Sequence, residues 1–364
     1  MNDPRLQALT QWAAEQLQQP LEELSVVSGD ASFRRYFRLP CNLQKHQVRL
    51  NGQSLTSVVA VDSPPDKEPI EAFVKVSELL AKAGLSVPQV LHADHQQGFM
   101  LLSDLGDALY LPALNDLSAD ELYHAAIDAL IDLQLGCLNR QSELPPYNKA
   151  QLHREMELFR EWFLQQHLQM PLEAADHQLL DQWFDCLSGS ALSQPQVAVH
   201  RDYHSRNLMI LPQHSPGIID YQDAVEGAVT YDLVSLLKDC YIRWPRHRQL
   251  QWLEYYQSQL EQKSLQHKET QSKSIEIADA VKTRDLVQDF DWMGMQRHIK
   301  VAGIFCRLYH RDGKAGYLAD IPLTLGYIVE ALQQYPEFEQ YFNWFENRLK
   351  PYLEQHNMMW TSFE

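Results

Sequence analysis

The sequence predicts an α+β protein of two lobes, a small β-rich N-terminal lobe and a larger, mostly helical C-terminal lobe. The chain has 364 residues, which is too long for one compact core. Its hydrophobic pattern changes from short strand-like runs to helical spacing near residues 103–107. We therefore expect one lobe over residues 1–107 and the second over residues 108–364.

The first lobe is predicted from short apolar runs separated by turn residues. Strands are expected at 33–39, 57–61, 87–91 and 99–102, where β-branched and aromatic residues cluster. Apolar residues at helical spacing predict helices over 4–18 and 70–83, the second ended by Gly84. The Pro-rich segment 63–69 is predicted to be a loop.

The second lobe is predicted to be built mainly of helices. Helical periodicity is found over residues 118–138, 150–168, 175–187, 229–242, 246–262, 282–311 and 322–348. Short strands around turns are expected at 197–199, 208–211 and 217–219. Residues 263–280 form the most polar stretch of the chain, so we expect a surface loop there.

The charge balance makes some partners improbable on physical grounds. The chain carries 31 Lys and Arg against 48 Asp and Glu, a formal net charge of −17. Such a surface repels phosphate backbones and anionic lipid head groups. We expect no nucleic-acid partner, no membrane partner and a monomer.

The five cysteines are widely spaced and include no C-x-x-C pair. This pattern disfavours a disulfide framework or a thiolate zinc site and suits a reducing compartment. The N-terminus has no basic region followed by an apolar run, and no stretch approaches about 18 apolar residues. We therefore expect a cytoplasmic protein.

The most informative stretch combines two apolar runs with polar residues at their ends. The first run delivers His200 and Asp202 into a turn, Asn207 follows five residues after the Asp, and the second run ends at Asp220. Phosphoryl transfer requires a carboxylate that orients the attacking hydroxyl and oxygen ligands for Mg²⁺. Each residue alone would suit a helix cap or a turn, but together they predict Asp202 as the base and Asn207 and Asp220 as metal ligands.

These residues resemble a known group of enzymes. Residues 200–207 and 219–224, followed by 231–234, are similar to the catalytic and metal loops of the aminoglycoside phosphotransferase and choline kinase superfamily, which has a protein-kinase-like fold. The resemblance implies a small-molecule kinase that uses ATP and Mg²⁺. It also implies that Asp232 secures the catalytic loop. We expect His200 to brace that loop by hydrogen bonds.

The resemblance extends into the first lobe. Residues 27–39 resemble the nucleotide loop of these kinases, which implies that Gly29 and Ser32 approach the phosphates, and residues 101–106, with Asp104, resemble the hinge against which adenine lies.

One position departs from the kinase pattern. The strand that usually carries a phosphate-binding Lys reads Val-Ala-Val-Asp at 59–62. Either the strand alignment is shifted, or Arg34, Arg35 or Lys45 takes the place of the Lys, or the nucleotide is bound weakly. The carboxylate partner on the following helix is left open between Glu71 and Glu78.

Segments 29–37, 61–65 and 297–308 are most similar to bacterial anomeric kinases of N-acetylmuramate and N-acetylglucosamine that act in cell-wall recycling. This implies an amino-sugar substrate phosphorylated at the C1 hydroxyl. Arg297 and Lys300, at helical spacing in an acidic chain, are expected to meet a substrate carboxylate.

Two alternatives remain open at this point. A kinase for an amino alcohol or aminoglycoside would favour an acidic pocket that includes Asp223 and Glu226. A non-enzymatic nucleotide-binding scaffold would explain the missing strand Lys, but it would have no need for Asp202, Asn207 and Asp220 together.

Overall fold

The computed structural model describes residues 3–21, 24–28, 33–40, 49–50, 53–266 and 270–362. Its strands, in chain order, are β1 (Ser25–Ser28), β2 (Arg35–Pro40), β3 (Arg49–Leu50), β4 (Gln53–Ser54), β5 (Ser57–Asp62), β6 (Val90–Asp94), β7 (Phe99–Ser103), β8 (Gln196–Val199), β9 (Leu208–Met209), β10 (Gly217–Ile218) and β11 (Val225–Ala228).

The α-helices are α1 (Pro4–Leu17), α2 (Glu71–Lys82), α3 (Tyr110–Ala113), α4 (Ala119–Gly136), α5 (Lys149–Leu158), α6 (Ala174–Ser193), α7 (Tyr231–Leu237), α8 (Arg246–Ser264), α9 (Gln271–Lys282), α10 (Leu286–Asp312), α11 (Ile321–Gln334), α12 (Glu339–Trp344) and α13 (Lys350–Gln355). Single 3₁₀ turns occur at Gln141–Glu143, Ala315–Asp320 and Pro336–Phe338, and π-helical turns at Phe159–His167 and Phe345–Leu349.

The chain forms two compact units. The first comprises residues 1–109 and 207–223, and the second comprises 110–206 and 224–364. The predicted boundary at 107/108 lies two residues from the observed one. Residues 207–223, which the sequence analysis counted with the second lobe, pack within the first unit.

The first unit is built on an antiparallel sheet in the order β1-β2-β5-β7-β6. Helix α1 covers one face because its apolar residues recur at helical spacing. This core comprises Leu9, Trp12, Ala13, Leu17, Phe37, Leu39, Val58, Ala60, Phe99 and Leu101.

A short hairpin of β9 and β10 also belongs to the first unit. Leu208 pairs with Ile218, and Met209 pairs with Gly217. The backbone N–H of Ile219 donates to the carbonyl oxygen of Asn207 at 3.1 Å. The antiparallel register therefore brings Asn207 and Asp220, which flank the hairpin, to the same end of it.

The second unit is organised around the 27-residue helix α10, most of which is buried. Helix α10 packs against α5, α6, α7 and α11. The two strands of this unit pair antiparallel, with Val199 of β8 opposite Val225 of β11. The sequence analysis did not predict β11, since Val-Glu-Gly-Ala has little strand character.

The predicted loop at 263–280 is wrong. Helix α8 continues to Ser264, and residues 271–282 form α9. Ser274, Ala278 and Val281 are buried at spacings of four and three residues, so a narrow stripe is enough to dock this polar helix. The predicted helix 322–348 is also interrupted, at Tyr335 and Pro336, because proline lacks the backbone donor that a continuous helix needs.

The four cysteines in the described ranges, Cys137, Cys186, Cys240 and Cys306, are free thiols. Within those same ranges, no helix combines the length and the apolar character required to cross a membrane.

Candidate active site

The turn after β8 holds the predicted base in a constrained backbone. Arg201 has φ of 78°, a left-handed conformation that is costly for a residue with a Cβ. The carboxylate of Asp232, at the start of α7, accepts the N–H groups of His200 at 2.6 Å and Arg201 at 3.0 Å. These two bonds oppose the strain, as the expected role of Asp232 requires.

Asp232 is fully enclosed, and burial raises the pKa of its carboxyl to about 6. His200 is buried as well, and its Nδ1 accepts the N–H of Asp202 at 3.2 Å. The imidazole thus braces the backbone at Asp202, the predicted base, in the way expected of His200.

Positive charge surrounds the carboxylate of Asp202. Burial alone would raise the pKa of this carboxyl, but the charges of Lys300, His204, Arg297 and Arg201 lower it to about 2. Asp202 is therefore ionised at every physiological pH. A carboxylate with so low a pKa orients a hydroxyl better than it removes a proton early.

A buried carboxylate on α5 joins the cations near this loop. Glu155 accepts from Arg201 and from Tyr147, and the Nζ of Lys300 lies 3.3 Å from Glu155 Oε2. Lys300 Nζ also donates to the hydroxyl of Tyr231 at 3.0 Å. Sequence reasoning missed Glu155, because it lies 46 residues before Arg201 and its own helical context carries no motif.

Arg297 and Lys300, expected to meet a substrate carboxylate, are only 3% and 5% exposed. Arg297 Nη1 donates to Cys240 Sγ at 3.5 Å, while its buried Nε has no hydrogen-bond partner. Both cations lower the pKa of the Asp202 carboxyl and so stabilise its ionised form. Their expected contact with substrate remains a prediction.

In the first unit, the two predicted metal ligands are in contact. Asn207 Nδ2 lies 3.5 Å from Asp220 Oδ2, and Gln222 Nε2 donates to Asp220 Oδ1 at 2.9 Å. Asp220 has φ of 65° and an exposed side chain. A second left-handed non-glycine residue at a predicted functional position is typical of strained active sites.

Arg34 lies in the same part of the first unit. Its Nε donates to Ser63 Oγ at 3.1 Å and lies 3.4 Å from Glu68 Oε2. Burial raises the pKa of Tyr36 to about 12, and this hydroxyl feels the charges of both Arg34 and Asp220.

Arg35 has a different environment. Its guanidinium binds Asp3 and Asp62, and the buried Asp62 also binds Arg5. The Asp that replaces the strand Lys is therefore neutralised by two arginines, which leaves Arg34 as the better phosphate-binding candidate.

Neither helix glutamate named in the sequence analysis pairs with Arg34. Glu71 lies 3.3 Å from His95, and Glu78 pairs with Lys82 at 3.6 Å on the surface. Glu68, in the loop before α2, is the carboxylate beside Arg34. The carboxylate partner of the phosphate-binding cation stays a prediction, and Glu68 joins Glu71 and Glu78 as a candidate.

The remaining predicted residues are more dispersed. Asp104 accepts from Arg38 at 2.6 and 3.0 Å and from Ser57 at 2.6 Å, so its side chain anchors the segment after β7. Asp223 is exposed. Gly29, Ser32 and Lys45 lie outside the described residues.

Known proteins match this chain over most of its length. Residues 23–269 match the model of the phosphotransferase enzyme family. Proteins named N-acetylmuramate/N-acetylglucosamine kinase match from Pseudomonas aeruginosa at 42% identity, covering 88% of this chain and 87% of the relative, and from Neisseria meningitidis at 38%, covering 86% and 87%.

Solved structures share the fold at low identity. A choline kinase from Streptococcus pneumoniae aligns with a TM-score of 0.58 at 10% identity, over 92% of this chain and all of the other. An aminoglycoside phosphotransferase with ADP bound aligns with a TM-score of 0.53 at 16% identity, over 89% and 98%. The predicted kinase-like fold and family are thus confirmed, and the chain belongs to the phosphotransferase enzyme family.

Proposed function

We propose that this protein transfers the γ-phosphoryl group of ATP to the C1 hydroxyl of N-acetylmuramate and N-acetylglucosamine, as an anomeric sugar kinase of cell-wall recycling. The names and the identity of the relatives support the substrate. The observation that carries the chemistry is Asp202, an ionised carboxylate on a loop that Asp232 and His200 hold in a strained conformation.

Asp202 is the proposed base. Its carboxylate accepts a hydrogen bond from the C1 hydroxyl and aims the oxygen lone pair at the phosphorus. The new O–P bond forms as the bond to the leaving ADP oxygen breaks, and the hydroxyl proton passes late to Asp202. An anomeric hydroxyl is more acidic than an ordinary alcohol, so a weakly basic carboxylate is sufficient.

Asn207 and Asp220 are the proposed Mg²⁺ ligands. Magnesium in nucleotide sites typically takes one or two protein oxygen ligands and completes its shell with phosphates and water. The Asn207–Asp220 contact fits that requirement, although the described residues include no cluster of three or more His, Cys, Asp or Glu side chains suited to a metal. When bound, the ion neutralises charge on the phosphates.

Arg34 is the proposed phosphate-binding cation in place of the strand Lys. It is buried, and its Nε lies 3.4 Å from Oε2 of Glu68. Gly29 and Ser32 in the nucleotide loop, Asp104 near the adenine and Asp223 near the substrate remain proposals from the family resemblance.

The net charge and free thiols support a cytoplasmic monomer without nucleic-acid or membrane partners.

The proposal is tested by measuring ADP release with ATP, Mg²⁺ and a panel of acceptors: both N-acetylated sugars, choline and an aminoglycoside. We expect turnover with the two sugars only. In Asp202→Asn, kcat should fall by about 10²–10⁴-fold while ATP binding persists, because the amide cannot accept the proton. Preference for choline or an aminoglycoside would overturn the substrate. Near-normal turnover in Asp202→Asn would overturn the base.

A further inference from the structure

Arg206, four residues after Asp202, has an arrangement that the proposed chemistry does not use. Its guanidinium carbon lies 3.5 Å from the ring centroid of Tyr241, so the planar group stacks on the aromatic face. The side chain is partly buried. Over the described ranges, its guanidinium has no hydrogen-bond or ion-pair acceptor.

One buried carboxylate fixes both members of this stack. Asp239 accepts the N–H of Ser205 at 3.0 Å, the hydroxyl of Ser205 at 2.5 Å and the N–H of Tyr241 at 3.0 Å. Asp239 is 1% exposed. Asp239 therefore anchors the backbone next to Arg206 and at Tyr241, which fixes the two positions from which the stacked side chains extend.

The surroundings of the stack suit a sugar with an acidic substituent. Tyr241 also contacts His204 at a centroid distance of 5.3 Å and Phe305 at 6.3 Å, and Phe305 contacts Tyr317 at 5.3 Å. Phe305 is buried and supports the row from behind, while His204, Tyr241 and Tyr317 are partly exposed and could pack against a pyranose.

One acidic group, Asp320, faces the guanidinium of Arg206. Burial raises the pKa of the Asp320 carboxyl, and the charge of Arg206 partly offsets that rise. The two side chains form no ion pair within 4.0 Å in the described part of the chain.

Arg206 differs from the other cations near Asp202. Lys300 is already bound to Glu155 and Tyr231, and Arg297 is enclosed against Cys240. A stacked guanidinium leaves its N–H edge available for a bidentate carboxylate contact. Compared with Lys300 and Arg297, Arg206 is thus the cation that is both partly exposed and, in the described residues, without a hydrogen-bond or ion-pair acceptor.

We propose that Arg206 binds the carboxylate of the lactyl ether of N-acetylmuramate and so sets the preference between the two sugars. This inference rests on the proposed function. N-acetylglucosamine has no carboxylate, so Arg206 should not contribute to its binding. Its pyranose would contact only the aromatic side chains beside Arg206.

The test compares kcat/KM for both sugars in wild type, Arg206→Gln and Arg206→Lys. A charge-assisted bidentate contact corresponds to about ten- to a hundred-fold, so the ratio of N-acetylmuramate to N-acetylglucosamine efficiency should fall by that factor in Arg206→Gln. Arg206→Lys keeps the charge and loses the two parallel N–H donors of the guanidinium, so its sugar ratio should lie between those of wild type and Arg206→Gln.

Arg248→Gln is the matched control. Arg248 also stacks on aromatic rings, those of Trp244 at 4.7 Å and Trp252 at 5.0 Å, but Asp116 and Asp120 already bind its guanidinium. This variant removes the same charge and should leave the sugar ratio unchanged.

N-acetylmuramate methyl ester supplies the second arm, since it lacks the charge that Arg206 would bind. The kcat/KM of wild type should be lower for the ester than for N-acetylmuramate. The kcat/KM of Arg206→Gln should be similar for the ester and for N-acetylmuramate. An unchanged ratio of the two kcat/KM values in Arg206→Gln would overturn the role of Arg206 and leave the proposed function standing. A wild-type enzyme inactive on both sugars would instead overturn the proposed function and this inference with it.

Discussion

At Asp202, the proposed base, neighbouring positive charges set the pKa of the carboxyl group. Lys300, His204, Arg297 and Arg201 more than compensate for burial and keep the pKa of the carboxyl near 2. A group with this pKa holds a proton only weakly. If Asp202 is the base, as proposed, we expect it to act mainly by orienting the attacking hydroxyl oxygen in a loose phosphoryl-transfer transition state.

This gives a prediction for the pH profile. Because the pKa of Asp202 is lowered in the folded protein, the active ionised form persists as the pH falls and is lost only near pH 2. The profile of kcat/KM should therefore show no acid limb from Asp202 above about pH 4. An acid limb at about pH 5–7 that moves in Asp202→Glu would contradict the assignment.

A second prediction at this scale separates Arg34 from Arg35. Arg34→Gln should raise the KM for ATP by about ten- to a hundred-fold, the range for loss of a charged hydrogen bond to phosphate. Arg35→Gln should instead lower the melting temperature, because the buried Asp62 loses one of its two arginine partners. Steady-state kinetics and thermal unfolding of both variants test this. The reverse pattern would assign the phosphate to Arg35.

Residue roles that depend on motif spacing could be predicted from the sequence, whereas long-range partners could not. The spacing of Asp202, Asn207 and Asp220 predicted the candidate site, and the structure puts the last two in contact. Glu155 reaches Arg201 across 46 residues, and Glu68 reaches Arg34 across 34. Both contacts depend on tertiary packing that a local pattern does not encode.

At the scale of elements, the helix α10 organises the second unit through one close approach. Gly303 lies where α10 meets the segment after α5. A methyl group added at Gly303 would lie within about 2.5 Å of the carbonyl oxygen of Leu158 and the nitrogen of Phe159. Backbone atoms cannot move aside as a flexible side chain can, so this position requires glycine.

Gly303→Ala should therefore destabilise the protein by about 3 kcal/mol, at the upper end of overpacking costs. Gly189→Ala is the matched control, because Gly189 lies within α6 and a methyl group there meets nothing within 4 Å. Alanine favours helix, so this control should stabilise by about 0.5–1 kcal/mol. Denaturant unfolding measures both, and equal stability of the two variants would show that the helices can separate at Gly303.

Elements with strong periodicity were predicted closely, and those with weak signals were not. The predicted helices 4–18 and 70–83 correspond to Pro4–Leu17 and Glu71–Lys82. Helix α9 was mistaken for a loop because its buried stripe is only Ser, Ala and Val. The grouping of 207–223 with the first unit was also hidden, since the chain leaves one unit and returns to it.

At the scale of the whole molecule, the family match and the named relatives support phosphoryl transfer. The acidic net charge of −17 makes the cations around Asp202 unusual for this chain. Under the proposed function, their charge would stabilise an anionic phosphoryl group or a sugar carboxylate near Asp202.

The position of the new phosphate on the sugar tests whether the protein is an anomeric kinase. The reaction of N-acetylglucosamine with ATP, Mg²⁺ and the enzyme is followed by ³¹P and ¹³C NMR. We expect phosphorus coupling at C1 and no product from the methyl glycoside, whose C1 oxygen is blocked. Phosphate at another carbon, or phosphorylation of the methyl glycoside, would contradict an anomeric kinase.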